Sequence, residues 1–79
     1  MKNQVNLTGR IFRYFRERNG LTQRQMASAL GIDQAIICKI ENGNRLPTFE
    51  QRRKLERYLQ RRFVDLMKEF FQMNYQFSY

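Results

Sequence analysis

The sequence contains no histidine and only one cysteine, Cys38. The first absence removes the commonest general base and metal ligand. The second excludes an internal disulfide. No Cys pair or acidic cluster replaces the missing imidazoles, so neither a metal nor another cofactor is expected. There is no nucleophile–base arrangement and no phosphate-cradling glycine loop either, and the chain reads as a non-enzyme. No apolar run approaches the roughly 20 residues that span a bilayer. The start, Met1–Asn6, lacks the apolar stretch of a signal peptide. Cytoplasmic residence, with no membrane partner, is the default expectation. Nothing repeats, and no Gly/Ser- or Pro-rich linker divides the chain.

What is present is a strong excess of one charge. Fifteen Lys and Arg stand against seven Asp and Glu, a formal net charge of +8 on 79 residues. Such a surplus favours a polyanion, either nucleic acid or an acidic membrane surface. The plainer alternative is that it only keeps the protein soluble. A chain this short forms one compact domain with a marginal core, which self-association would support.

End signals divide the chain into short helices. The first runs from about Leu7 to Arg18, with Asn6 as N-cap and Gly20 just past its end. Its apolar face is Leu7, Ile11, Phe12, Tyr14 and Phe15. Thr22 and Gln25 form a T-x-x-Q capping box for a helix over about Gln23–Leu30, and Leu21 can staple onto Met26. Gly31 supplies a turn, and Asp33 caps a third helix, Gln34–Glu41. Thr48 and Gln51 open a fourth, to about Leu59. A fifth stretch, either separate or continuous with the fourth, carries Phe63, Leu66, Met67 and Phe70 at helical spacing. The alternating Asn74–Tyr79 segment hints at an extended tail. The expected fold class is all-α, a compact bundle of about five helices.

Two short helices about a glycine turn make a helix-turn-helix unit. An αα-hairpin in an ordinary core would look similar. In Gly20–Gly43, however, L-T-Q, M-A, L-G-I and I-x-x-I-E-N-G fall in order, followed by R-x-P from Arg45 to Pro47. This stretch resembles the phage repressor and Cro family of helix-turn-helix domains, over roughly residues 7–67. The resemblance implies a lambda-repressor-like fold in which the third helix enters the major groove of double-stranded DNA.

With Ile37 and Ile40 turned inward, Gln34, Ala35, Cys38 and Lys39 form the reading stripe. Gln34 suits an adenine edge, Ala35 a thymine methyl, and Lys39 a guanine edge or a phosphate. Asp33 either caps the helix or accepts from a cytosine amino group. Asp33 and Ala35 both depart from the family's usual residues, so no operator carries over from a relative. Thr22 and Gln23 lie at a phosphate-attracting helix start. The resemblance further implies that Gln23 braces Gln34, that Asn42 and Arg45 contact phosphate, and that Arg16 pairs with Glu41. It places the fourth helix, with Arg52, Arg53, Lys54 and Arg57, mostly away from the groove. A lone Cys38 is more simply a packing or groove-facing residue than a redox switch. Ile36 is left undecided between packing and exposure.

Phe63, Phe70, Phe71, Tyr75, Phe77 and Tyr79 are too many aromatics for a solvated tail. Phe63 and Leu66 match family core positions. The surplus from Phe70 onward, with Leu7, Ile11 and Tyr14, suggests a two-fold contact between monomers. Alternatively, the tail folds back over its own first helix. The expected division is a DNA-binding domain over residues 1–67 and an aromatic extension over 68–79, with Phe70, Phe71, Tyr75 and Phe77 in the dimer contact. The expected function is a dimeric, repressor-like transcriptional regulator. The alternative is the antitoxin of a toxin–antitoxin pair, which would bind a toxin partner as well as DNA.

Overall fold

Two reciprocal capping boxes set the helix starts that matter most. The Thr22 hydroxyl accepts from the Gln25 amide at 3.0 Å, and the Gln25 side chain accepts from the Thr22 amide at 2.9 Å. Thr48 and Gln51 repeat the arrangement at the same two distances. Each box satisfies donors that a helix start would otherwise leave without partners. Between them, the Asp33 carboxylate accepts from the Ala35 amide at 3.0 Å. In this computed structural model, which describes residues 7–75, the helices are α1 (Leu7–Arg18), α2 (Gln23–Leu30), α3 (Gln34–Glu41), α4 (Phe49–Leu59) and α5 (Phe63–Tyr75). Asn6, the expected cap of α1, lies outside the described residues.

Gly31 ends α2 in the left-handed region at φ 69°. Its amide reaches Ser28 O, and the Ile32 amide reaches Ala27 O at 3.0 Å, closing a Schellman turn. A Cβ here would meet no neighbour within 4 Å. Backbone conformation, not crowding, therefore requires glycine.

α4 and α5 are separate helices. Gln60 takes φ 57° and stops α4. The Glu56 carboxylate then accepts the Phe63 amide at 2.7 Å, satisfying a donor at the start of α5. This break turns Phe63, Leu66 and Phe70 back onto α1 instead of carrying them into solvent.

The five helices surround one core. Ile11 and Phe12 from α1, Met26 from α2, Ile37 and Ile40 from α3, Leu55 from α4 and Leu66 from α5 are fully buried. Ile36 is half-buried and packs against this cluster. No helix among the described residues is long and apolar enough to cross a membrane.

α5 continues unbroken to Tyr75, so the segment from Asn74 does not start as an extended tail. Phe70 is only 2% exposed and sits in the monomer's own core, edge-on to Tyr14 at 5.6 Å. Within the single chain both Phe70 and Ile11 are buried. The physical reason is helical spacing: Phe70 follows Leu66 by four residues and so shares its inward face. Phe77 and the side chain of Tyr75 lie outside the described residues.

The Tyr14 hydroxyl donates to Glu69 at 3.2 Å, and Glu69 also holds Arg61 at 2.7 Å. Burial first, and the neighbouring carboxylate second, push the Tyr14 phenol above its ordinary 10.0, although Arg18 and Arg61 pull the other way. The phenol therefore stays a donor, and the cluster pins α5 to α1. Phe70→Ala should cost about 3–5 kcal/mol of folding stability, as other core Phe truncations do. Urea unfolding measures it, and a midpoint equal to wild type would remove Phe70 from the core.

Candidate nucleic-acid interface

The helix-turn-helix surface is built on one ionic cluster. Arg16 Nε donates to Glu41 Oε2 at 2.8 Å, and Arg16 Nη1 donates to the Leu21 carbonyl at 2.8 Å. The other carboxylate oxygen of Glu41 accepts from Gln23 Nε2 at 3.1 Å. The Glu41 side chain is 1% exposed and that of Arg16 is 13%. A carboxylate this deep requires partners on both oxygens. These partners come from α1 and from the first residue of α2, so the cluster locks both helices to the end of α3.

No hydrogen bond joins Gln23 to Gln34 among the described residues. The Gln23 amide is bound to Glu41 instead, because an ionised acceptor makes the stronger hydrogen bond. Gln34 is exposed, with no partner among the described residues.

With Ile37, Ile40 and Glu41 buried, α3 presents its opposite face outward. Gln34, Ala35 and Lys39 are exposed, and Cys38 is half-buried. Cys38 Sγ accepts from Asn42 Nδ2 at 3.4 Å, which ties the exposed Asn42 side chain back along the helix. Asp33 is exposed but holds the α3 cap. Thr22 is engaged in its capping box, at the rim of the same surface. Arg45 stands exposed in the connection to α4. Gln34, Ala35, Cys38, Lys39 and Asn42 thus share one helix end to end, flanked by Gln23 and Arg45.

Charge is unevenly distributed over the molecule. On α4 and the turn after it, most cations already have partners. Arg53 meets Glu56 at 3.4 Å, Arg57 meets Glu50 at 3.9 Å, and Arg62 meets Asp65 at 3.7 Å. Arg52 lies over the Phe49 and Phe63 rings, and Lys54 donates to the Gly31 carbonyl at 3.2 Å. Arg24, Lys39, Arg45 and Lys68 have no such partner among the described residues. Three of these four cations lie between Thr22 and Pro47.

Arg24 was missed by the reading of the sequence, although a signal was available. A cation in the first turn of a helix opposes the positive end of the helix dipole. Its presence beside the capping box is unfavourable unless an external anion is nearby. Leu46 and Phe49 were missed as well; each is 65% exposed, in the connection to α4 and at its first residue.

A capped helix, a left-handed glycine turn and a second capped helix that exposes one polar stripe define a helix-turn-helix domain. The chain belongs to the helix-turn-helix family, whose sequence profile matches residues 12–66. It is similar to the uncharacterized HTH-type transcriptional regulator YazB of Bacillus subtilis (strain 168), with 47% identity over 45 residues. That match covers 57% of this chain and 65% of the relative, so the chain spans less than two thirds of the relative's length. No solved structure matches the chain.

Arg16→Met would leave the Glu41 carboxylate buried beside Gln23 alone. The expected loss is about 3–5 kcal/mol of stability, the usual result of breaking a buried pair from one side. Thermal and urea unfolding test this; a variant that melts like wild type would show that the cluster does not hold the three helices together.

Proposed function

We propose that the chain is a sequence-specific, duplex-DNA-binding transcriptional regulator of the repressor type, acting as a dimer in the cytoplasm without enzymatic activity. The observation that carries this reading is the exposed stripe of Gln34, Ala35 and Lys39 on a helix whose opposite face is fully buried. Such a helix can enter a major groove without unfolding anything. Arg24 and Arg45 support the reading, since neither has a partner among the described residues and both flank the stripe. The similarity to a relative named as a transcriptional regulator supports it too. In this reading Gln34, Ala35 and Lys39 discriminate bases. The first-turn amides of α2 with Arg24, and Asn42 and Arg45 beyond α3, position the backbone. The binding unit includes α5, because Phe70 completes its core.

Selection from random duplexes should return a motif with two half-sites about one helical turn apart. Affinity for it should fall with salt at a log–log slope of about −0.9 per neutralised phosphate. Gln34→Ala should relax preference at one base pair by about 1–3 kcal/mol. Arg24→Ala and Arg45→Ala should weaken all sequences alike and each flatten the salt slope by about one unit. No enrichment over random duplex, or an affinity indifferent to salt, would defeat the reading.

The dimer contact is assigned to the outward stripe of α5, where Val64 and Phe71 are exposed and Met67 is half-buried. These positions follow one another at helical spacing; Met67 also packs against the core, and Val64 and Phe71 supply the exposed part of the stripe. Sedimentation at micromolar concentration should give a dimer for the full chain and a folded monomer for Phe71→Glu. A monomeric full chain would exclude the contact.

A further inference from the structure

The basic run of α4 faces a second feature that the proposed DNA surface does not use. Between the end of α2 and α4 lies a cleft of about 300 Å³, lined by Ala29, Leu30, Lys54, Arg57 and Tyr58. We propose that this cleft binds a small free oxyanion, a phosphate- or carboxylate-bearing molecule held by Lys54, Arg57 and Tyr58.

The cleft's donor set supports this assignment. Its lining contains two cations and no carboxylate. A second cleft, beside α1, contrasts with it, since the carboxylates Glu17 and Glu41 line it together with Arg10 and Arg13. Lys54 is already oriented, its ammonium on the Gly31 carbonyl at 3.2 Å. An ammonium has three N–H groups, so two remain for a ligand. Arg57 meets Glu50, its only carboxylate partner among the described residues, at 3.9 Å, with both side chains more than half exposed. A pair of that kind contributes little and leaves the guanidinium available. The Tyr58 hydroxyl has no hydrogen-bond partner among the described residues. Ala29 and Leu30 provide an apolar floor, and the volume is at the low end for ligand sites.

None of the lining residues belongs to the stripe from Gln34 to Lys39, so the site stands or falls independently of DNA binding. Lys54 does link it to that unit through the Gly31 carbonyl, at the turn that sets α2 against α3.

The test is an amide chemical-shift titration of the full chain with inorganic phosphate at constant ionic strength, with chloride as control. Saturable shifts centred on Ala29, Leu30, Gly31 and Tyr58 are expected. The double variant Lys54→Gln, Arg57→Gln should weaken the apparent affinity by about tenfold while the rest of the spectrum holds. Tyr58→Phe should weaken it less. Equal shifts with chloride, shifts spread over every basic residue, or shifts unchanged in the double variant would overturn the proposal. A parallel titration with a short DNA duplex separates the sources. Shifts at Ala29 and Tyr58 from duplex but not from phosphate would reassign the cleft to nucleic acid and overturn it. Phosphate binding without duplex binding would defeat the regulator reading and leave this site intact.

Discussion

The rest of the structure depends on the carboxylate of Glu41. It is buried at the end of α3 and carries a charge that the core cannot solvate. Arg16 from α1 takes one oxygen and Gln23 from α2 takes the other. No buried side-chain polar atom among the described residues lacks a partner. The ion pair is a weak argument for high stability, because desolvation offsets much of its attraction. Its stronger consequence is positional. Both partners reach Glu41 only when the first three helices adopt one mutual arrangement, and that arrangement orients the outer stripe of α3.

The second constraint is the distribution of charge. A net charge of +8 suggests an indiscriminately basic surface. Instead, Arg52, Arg53, Arg61 and Arg62 are engaged with carboxylates and aromatic rings of their own chain. Positive charge without an internal partner is concentrated around α2 and α3. Selective neutralisation of this kind would direct a polyanion to one face, where total charge alone would not.

α5 has two roles that composition could not separate. Its inner face, Leu66 and Phe70, closes the core. Its outer face leaves Val64 and Phe71 exposed. Aromatic abundance indicated surplus apolar surface but could not apportion it. The break at Gln60 sets the angle at which α5 returns, and hence which aromatics face inward. A non-glycine residue in the left-handed region is uncommon enough that sequence patterns would not place a helix end there.

The sequence by itself determined the local structure: helix starts at Thr22, Asp33 and Thr48, the turn at Gly31, and the inward faces of α2 and α3. Capping and glycine conformation act over a few residues, so each signal is complete within its own segment. Which residues lie outward on α3 followed from the same periodicity. It took the packed helices to decide that Gln23 serves Glu41, that Phe70 belongs to the core, that Arg24 and Arg45 have no partner among the described residues, and that Lys54, Arg57 and Tyr58 line one cleft. Each of these is a contact, or the lack of one, between segments far apart in the chain. Such contacts depend on how whole helices cross, and no local pattern of residues encodes that angle.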